Sequence, residues 1–366
     1  MKIRVWVAIE SMGIGGAERA MFDVVSISSS MFDWTVWVRS GAGIHAKHLP
    51  DNVRVLACST SEMMSTLKRE KPDVFINNIV HELIALTPEI AKSAGMVELI
   101  MHSPHPWSLQ FVAESVRDLY DRVILVADYE IDHFVKAGVH PSKIRIMDTF
   151  IDQAKFVPTD GLKERRAIGV DSNVFLFGYA GRADGGKRVN TMPAILRGLL
   201  DHRINAKMVL VGLTEDGQGE RTAFWDSVRV MMLDNAKKHG VLDNIIEVPA
   251  THDMQNVYPA LDATILPSLH EGSPLMPIES LACGVPCVAT DVGDLSKYLL
   301  PCTGSAVIRS QDRVEPLFAG ELFRIAITSR EERVMWARNA VDLVTNLRSS
   351  TSWEVGTKKR LEGILL

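Results

Sequence analysis

Two glutamates separated by eight positions are the first candidates for chemistry in this sequence. Glu271 and Glu279 open and close the segment EGSPLMPIE, which follows a predicted strand and runs into a short helix. A carboxylate can accept hydrogen bonds from two neighbouring hydroxyls, and a helix start offers free amides and a positive dipole to an anion. The segment therefore suits a ligand with hydroxyls at both ends and a diphosphate between them. Alternatively, one acid lies in a loop and the other on a solvated helix face.

Two basic residues stand in a second segment that could bind the same kind of anion. Arg182 and Lys187 lie in GYAGRADGGK, residues 178–187, directly after another predicted strand. An arginine fork and a lysine point charge can together neutralise a diphosphate leaving group, so that no metal ion is required. The alternative is a solvated basic pair on a turn, which is how most such residues behave.

A glycine-rich loop and a histidine mark the first half of the chain. The segment GIGGAER, residues 13–19, follows the first predicted strand, and its glycines permit a positive φ and a close approach of amides to a ligand. A dinucleotide fingerprint would need Gly or Ala at Glu18, which counts against a nicotinamide-dependent oxidoreductase; a simple tight turn is the other interpretation. His102 opens HSPHPW at the carboxyl end of a predicted strand, where open parallel sheets bind ligands, although a lone histidine is more often structural.

Composition and charge exclude some classes of function. The chain has 366 residues, 46% of them hydrophobic, which is enough for two domains with separate cores. A net charge of -5 gives no global basic field to hold nucleic acid. Four scattered cysteines match neither a disulfide framework nor a zinc site, so we interpret them as buried thiols in a reducing compartment.

The N-terminal residues and the hydropathy bear on localisation. Glu10 interrupts the apolar start before a signal-peptide core is reached, and no apolar run approaches the length of a membrane span. These features predict a soluble, cytoplasmic protein, or at most one that is peripheral to a membrane.

Short β-branched runs alternate with helical patterns, which predicts an α/β protein with parallel sheets covered by helices. The strands predicted in the first half are 3–9, 34–38, 53–56, 74–76, 97–101, 122–126 and 144–147. The pattern restarts after Phe156 with strands 174–180, 207–211, 245–248, 263–266 and 285–290. Helices are predicted over 17–27, 189–201, 224–239 and 330–347, and another opens at residue 352. The stretch 151–163, with its Pro and Gly, is the expected interdomain linker.

The four segments together resemble glycosyltransferase family 4, whose members are retaining enzymes of the GT-B fold with an E-x7-E motif. The resemblance spans nearly the whole chain, and its specific residues lie in these four clusters. It implies two Rossmann-like domains that face a central cleft. Residues 1–152 would form the acceptor side and residues 153–348 the nucleotide-sugar side, and a helix over 349–366 would return to the first domain, with Trp353 in it.

The resemblance also implies roles for residues. The expected donor is a UDP- or GDP-sugar, with no cofactor and no metal, and the expected acceptor is a glycan, a glycolipid or a small molecule. Glu279 would hold the ribose, Glu271 the donor sugar, and the basic pair the phosphates, while Trp107 would form a wall for the acceptor. The catalytic set would be His102, Arg182, Lys187 and Glu271. The donor contacts would be Gly15, Gly16, Arg182, Lys187, Glu271, Gly272, Ser273, Pro274, Leu275 and Glu279.

The resemblance carries a mechanism that the residues alone do not show. A double displacement would need a carboxylate nucleophile beneath the anomeric carbon, and the sequence nominates none. The family is thought to use a front-face reaction in which the departing phosphate helps to deprotonate the acceptor.

Several residues depart from the family pattern. Pro274 and Asp294 stand where many relatives carry glycine, and Lys297 stands where an acid is frequent. Leu213-Thr214-Glu215 replaces the usual glycine-containing turn after the strand 207–211. These departures fall in supporting loops, including those expected to bind the sugar, the phosphates and the nucleobase.

Three other functions remain open at this point. A sugar-nucleotide epimerase of the same fold would need acid and base residues around the sugar ring. A glycan phosphorylase would need phosphate as a co-substrate or a pyridoxal cofactor. A protein that has lost catalysis would bind sugar nucleotides without turnover.

Overall fold

The structure is a computed structural model that describes residues 2–13, 15–41, 43–102, 118–147, 151–213 and 222–347. The described residues form two compact units, one that ends at residue 147 and one that begins at residue 151. The segment with His105 and Trp107, and the predicted helix over 349–366 with Trp353, lie outside the described residues.

The N-terminal unit is built on a seven-stranded sheet in the order β3-β2-β1-β4-β5-β6-β7. Its strands are β1 (Arg4–Ile9), β2 (Asp33–Val38), β3 (Arg54–Leu56), β4 (Val74–Asn78), β5 (Met96–Met101), β6 (Arg122–Leu125) and β7 (Ile144–Ile146). Its helices are α1 (Gly16–Ser28), α2 (Gly43–Ala46), α3 (Thr60–Glu70), α4 (His81–Ala91) and α5 (Ile131–Lys136). Neighbouring strands pair in parallel, as in the register of Val5 with Val74. Because the sheet is covered on both faces, its central strands are buried along almost their whole length.

The C-terminal unit is built on a six-stranded parallel sheet in the order β10-β9-β8-β11-β12-β13. Its strands are β8 (Phe175–Ala180), β9 (Ala206–Val211), β10 (Ile245–Val248), β11 (Ala263–Leu266), β12 (Cys287–Thr290) and β13 (Ala306–Ile308). Its helices are α6 (Leu162–Ala167), α7 (Met192–Asp201), α8 (Thr222–Lys238), α9 (Leu275–Ala282), α10 (Leu295–Leu299), α11 (Val314–Ile327) and α12 (Arg330–Leu347).

The predicted α/β class with two parallel-sheet domains is confirmed. Each predicted strand is present with its ends within two residues of the prediction. The predicted helix over 189–201 begins as a 3-10 turn, Val189–Thr191, before α7. Strand β13 was not predicted, because it is only three residues long and too short for a periodic pattern. Helices α2 to α6, α10 and α11 were not predicted either.

Each sheet has one point where the strand order reverses. In the C-terminal unit β8 lies between β9 and β11, and in the N-terminal unit β1 lies between β2 and β4. Open parallel sheets bind ligands outside the carboxyl ends of the strands at this point. The loop with Arg182 and Lys187 follows β8, and the loop with Glu271 follows β11, so the fold brings these distant segments together.

Candidate functional site

The two loops that follow β8 and β11 touch each other directly. The backbone N–H of Leu269 donates to the carbonyl oxygen of Gly186 at 2.7 Å. Thr290, at the end of the neighbouring strand β12, donates from Oγ1 to the carbonyl oxygen of Ser268 at 2.5 Å. These bonds hold both loops over the carboxyl edge of the C-terminal sheet.

Internal hydrogen bonds shape the glycine-rich loop after β8. The buried Tyr179 hydroxyl donates to the carbonyl oxygen of Arg182 at 3.1 Å, and a Cβ on Gly181 would come within 2.5 Å of that hydroxyl. Asp184 accepts a bond from the Gly186 N–H at 2.8 Å and so closes the 3-10 turn that carries Lys187. Burial raises the pKa of Tyr179 well above its ordinary value, and the charge of Glu271 raises it further, so the phenol keeps its proton as a donor.

Arg182 leaves this loop over the face of an aromatic ring. Its guanidinium carbon lies 5.2 Å from the centroid of the Trp225 ring, which belongs to α8. A cation–π contact of this kind stabilises the guanidinium without occupying all of its N–H groups. The ring of Trp225 therefore holds the guanidinium of Arg182 at this loop.

Lys187 and Glu271, predicted for the phosphates and the donor sugar, contact each other. The Lys187 Nζ lies 2.5 Å from Glu271 Oε1, and the lysine and glutamate side chains are 27% and 10% exposed. The buried Ser268 hydroxyl donates to the same Oε1 at 2.7 Å. One carboxylate oxygen thus accepts two bonds, which fixes the plane of the Glu271 carboxylate.

Glu279 is buried in α9, where a tyrosine holds it. The Tyr258 hydroxyl donates to Glu279 Oε2 at 2.8 Å. Cys283 follows one turn later, and burial together with the charge of Glu279 raises the pKa of its thiol to about 12. Cys283, Cys287 and Cys302 are buried free thiols, as predicted, whereas the free thiol Cys58 is only partly buried, so the prediction of burial is wrong for it.

The start of α9 has no side-chain cap hydrogen bond in the described residues. Pro274 stands at the N-cap position with extended backbone, and the Ser273 hydroxyl donates to Asp294 Oδ2 at 3.1 Å. Pro277 in the first turn also lacks an N–H. The amides of Leu275 and Met276 are therefore the donors that the first turn presents to an anion.

Gly293 and Asp294, of which Asp294 departs from the family pattern, support the loop before α9. A Cβ on Gly293, whose φ is +62°, would lie 2.2 Å from the carbonyl oxygen of Gly272. The Asp294 N–H donates to that same carbonyl at 3.2 Å, and the Tyr298 hydroxyl donates to Asp294 Oδ2 at 3.1 Å. The segment 293–294 therefore packs directly on the loop of Glu271.

His102 lies in the N-terminal unit, directly after β5. Its Nε2 is 2.7 Å from Oδ1 of Asn78, the last residue of the neighbouring strand β4. Burial lowers the pKa of His102 to about 4, so the imidazole is neutral at pH 7. With Nε2–H donating to Asn78, Nδ1 is left as an acceptor, and His102 offers a hydrogen bond rather than a positive charge.

The glycine-rich loop after β1 opens α1, as predicted, but its glycines do not adopt the positive φ that they permit. Gly15 has a φ of 173°, which is extended backbone, and neither Gly13 nor Gly16 has a φ in the left-handed region. A Cβ on Gly16 would meet nothing within 4 Å. Open space beside this residue, rather than a strained turn, is what glycine provides here.

Four residues that hold the site side chains were missed by sequence reasoning. They are Tyr258, Ser268, Trp225 and Asn78. Tyr258, Trp225 and Asn78 act through tertiary contacts, for which a single sequence carries no periodic signal. Ser268 acts within the loop of Glu271, three residues before it.

Among the described residues, no cluster of three or more His, Cys, Asp or Glu could hold a metal ion, and no helix is long and apolar enough to cross a membrane.

Comparison with known proteins agrees with this architecture. Residues 161–340 match the family model described as glycosyl transferases group 1, a range that contains the loops after β8 and β11. The Anabaena protein HepE, solved in complex with UDP and glucose, superposes with a TM-score of 0.82 at 16% identity, covering 99% of this chain and 100% of that one. The fold is GT-B. The sucrose-phosphate synthase of Thermosynechococcus elongatus shares it, with a TM-score of 0.78 at 14% identity over 100% of this chain and 99% of the other.

Curated relatives carry a glycosyltransferase name. D-inositol 3-phosphate glycosyltransferase of Stackebrandtia nassauensis is 29% identical over 210 residues, which cover 55% of this chain and 45% of the relative. The protein of that name from Actinosynnema mirum is 27% identical over 258 residues, which cover 68% and 59%. The chain thus spans about half the length of the curated relatives it matches. By these matches, the chain is similar to glycosyltransferases and shares the GT-B fold.

Proposed function

We propose that this chain is a retaining glycosyltransferase that moves a sugar from a nucleotide-sugar donor to an acceptor hydroxyl. The contact of Lys187 with Glu271 at the switch point of the C-terminal sheet carries the proposal. A cation that suits a diphosphate lies beside a carboxylate that suits sugar hydroxyls, and these groups are neighbours along a nucleotide sugar. The family-model match covers both residues.

The donor is bound by charged side chains that contacts within the protein already orient. Arg182 and Lys187 neutralise the diphosphate, and the Leu275 amide at the start of α9 adds a donor. When phosphate oxygens take Lys187, Glu271 Oε1 becomes available to sugar hydroxyls, and Ser268 keeps the carboxylate in place. Glu279 accepts from the ribose hydroxyls. Gly272, Ser273 and Pro274 form the loop that lies along the donor sugar.

The chemical step uses the same cations. The bond between the anomeric carbon and the diphosphate oxygen breaks, the acceptor oxygen bonds to that carbon on the same face, and the acceptor proton passes to the departing phosphate. Negative charge grows on the leaving group, so prepositioned cations stabilise the transition state more than the ground state. No metal ion is required for this role.

The proposal assigns supporting roles to three residues of the N-terminal unit. Gly15 and Gly16 follow β1 and His102 follows β5, at the carboxyl edge of that sheet. His102 is proposed to give the donor sugar a neutral hydrogen-bond partner through Nδ1. The glycines leave room for substrate beside the start of α1.

The test is a panel of UDP-, GDP-, ADP- and TDP-sugars, read first by thermal shift and then by turnover. UDP-glucose is tried first, because HepE has been solved with it. A donor that binds only the folded state raises the free energy of unfolding by about 2.7 kcal/mol at 100 times its Kd. Release of nucleoside diphosphate that depends on an added acceptor, with the anomeric configuration kept in the product, is the expected result. A new sugar nucleotide formed without an acceptor would indicate an epimerase, and binding without turnover would indicate an inactive protein.

A further inference from the structure

A buried hydrogen bond links Glu279 to a residue outside the segments used so far. Tyr258 begins a 3-10 turn, Tyr258–Ala260, that comes shortly before β11. Its hydroxyl donates to Glu279 Oε2 at 2.8 Å, and the two residues are only 1% and 6% exposed. A charge-assisted bond that is shielded from water is stronger than an exposed one and orients its acceptor.

Packing leaves the Tyr258 ring little freedom to move. Its centroid lies 6.2 Å from that of the buried Phe156 ring, in a tilted arrangement. The turn that carries it is closed by the Leu261 N–H, which donates to the Tyr258 carbonyl at 2.9 Å. The next residue, Pro259, is packed so closely that a Cβ on Gly161 would meet its carbonyl oxygen at 1.9 Å. The hydroxyl is therefore a fixed point, whereas a glutamate carboxylate turns readily about its last torsion.

We infer that Tyr258 is a positioning residue that fixes the Glu279 carboxylate plane and so gives the site its preference for ribose over deoxyribose. The inference rests on the proposed role of Glu279 in donor binding. Tyr258 takes one acceptor position on Oε2, and an ionised carboxylate has about four. With the plane of the carboxylate set by this bond, Glu279 would meet the ribose hydroxyls in one orientation. A site built to bond a hydroxyl rejects an analogue that lacks it, provided the acceptor cannot turn away.

The experiment compares nucleotides with and without the ribose hydroxyls. Titration calorimetry gives Kd values for UDP, GDP and ADP and for their 2′,3′-dideoxy forms, with wild type, Tyr258→Phe and Tyr298→Phe. Tyr298→Phe is the matched control, because it also removes a buried tyrosine hydroxyl that donates to a carboxylate, Asp294 Oδ2. Wild type and the control are expected to prefer the ribonucleotide by about tenfold or more. Tyr258→Phe is expected to lose most of that preference through weaker ribonucleotide binding, with the dideoxy affinity unchanged.

The outcomes separate this inference from the proposed function. If Tyr258→Phe keeps the wild-type ratio, or if both tyrosine variants lose it equally, the positioning role is wrong while nucleotide binding stands. If wild type binds none of the three diphosphates, the proposed function fails first. A wild-type complex with UDP gives a second measure that needs no variant to fold. In it, the Tyr258 bond to Glu279 must persist while Glu279 contacts the ribose, and a carboxylate turned off Tyr258 overturns the inference.

Discussion

At the residue scale, the candidate site depends on pairs rather than on single side chains. Glu271 is oriented by Ser268, Arg182 by the ring of Trp225, and Glu279 by Tyr258. Holding a charged group in place before the substrate arrives removes part of the ordering that binding would otherwise require. The roles of these groups can therefore be distinguished by comparing the binding of different ligands, and the role of His102 by varying the pH.

Lys187→Met is expected to lower kcat by roughly a hundredfold while weakening donor binding less. The reason is that the charge of the leaving diphosphate, and with it the value of a cation, is largest in the transition state. Steady-state kinetics with the cognate donor measures both effects. Lys237→Met is the control, because Lys237 is exposed and pairs with an exposed Asp234 on the same helix, α8. Equal turnover for both variants would mean that Lys187 is a solvated turn residue.

Glutamine at the two glutamates is expected to separate the sugar from the nucleoside. Glu271→Gln weakens binding of the nucleotide sugar but not of the bare diphosphate, because it removes the sugar acceptor and releases Lys187 for phosphate. Glu279→Gln weakens both ligands by about 1.5 to 3 kcal/mol, the usual size of a bond to a charged group. Calorimetry with both ligands on both variants is the measurement. The division of roles fails if Glu271→Gln weakens the two ligands equally.

The His102 imidazole is expected to make stability depend on pH. Its pKa is about 4 in the folded chain against an ordinary 6.5, so the unfolded chain binds the proton more readily between these values. The stability that comes from the neutral ring is present above pH 6.5 and is lost as the pH falls toward 4. Urea unfolding between pH 7 and 4 should therefore show a shallower fall for His102→Gln than for wild type. His140→Gln, at an exposed position, serves as the control, and the idea fails if all three proteins follow one curve.

At the element scale, the site consists of loops held at the carboxyl edge of the C-terminal sheet. The loop after β8, the loop after β11 and the turn before α10 are tied to one another by backbone hydrogen bonds. These loops are short, so the position of each is determined by the strand that precedes it. In the proposed function, the geometry of donor binding is then set by β8, β11 and β12 as a group.

Gly293→Ala is expected to destabilise the C-terminal unit and weaken donor binding together. A new Cβ would lie 2.2 Å from the Gly272 carbonyl oxygen, and the φ of +62° already disfavours a side chain. Gly169→Ala is the matched control, because its φ is +68° but nothing lies within 4 Å of the added carbon. We expect about 1 kcal/mol or less for the control and at least twice that for Gly293→Ala. Urea unfolding measures the stability and donor titration measures the affinity. Equal losses of stability in the two variants would show that the contact between residue 293 and the Gly272 carbonyl does not contribute to stability.

The sequence predicted the elements better than the contacts between them. Runs such as β1 and β8 are apolar throughout because helices cover both faces, and this pattern is visible in one sequence. The parallel order that follows places Lys187 near Glu271, so that pair could also be expected. Tyr258 and Asp294 could not, because their roles come from side chains that meet only after folding. Asp294 was noticed as a departure from the family pattern, but its function was not.

At the scale of the whole molecule, both units repeat one topology, a parallel sheet whose order reverses beside its first strand. In the proposed function, the negative charge of the donor diphosphate is neutralised by side chains and a helix start of the C-terminal unit, and not by a metal ion. Transfer is therefore expected to persist in EDTA, with a rate within about twofold of the untreated protein. Initial rates with the cognate donor, before and after EDTA and then with added magnesium or manganese, measure this. Loss of activity that either metal restores would contradict the proposed neutralisation of the leaving group.

The close approach of Gly293 to Gly272 has a consequence for engineering this chain. The segment around Glu271 cannot be exchanged for that of another GT-B protein without its support, because the backbone at 272 and the backbone at 293 are in contact. A foreign segment with a different path at 272 would collide with Gly293 or lose the Asp294 hydrogen bond. Under the proposed function, a chimera that is meant to change the transferred sugar must take residues 271–274 and residues 293–294 from the same parent protein.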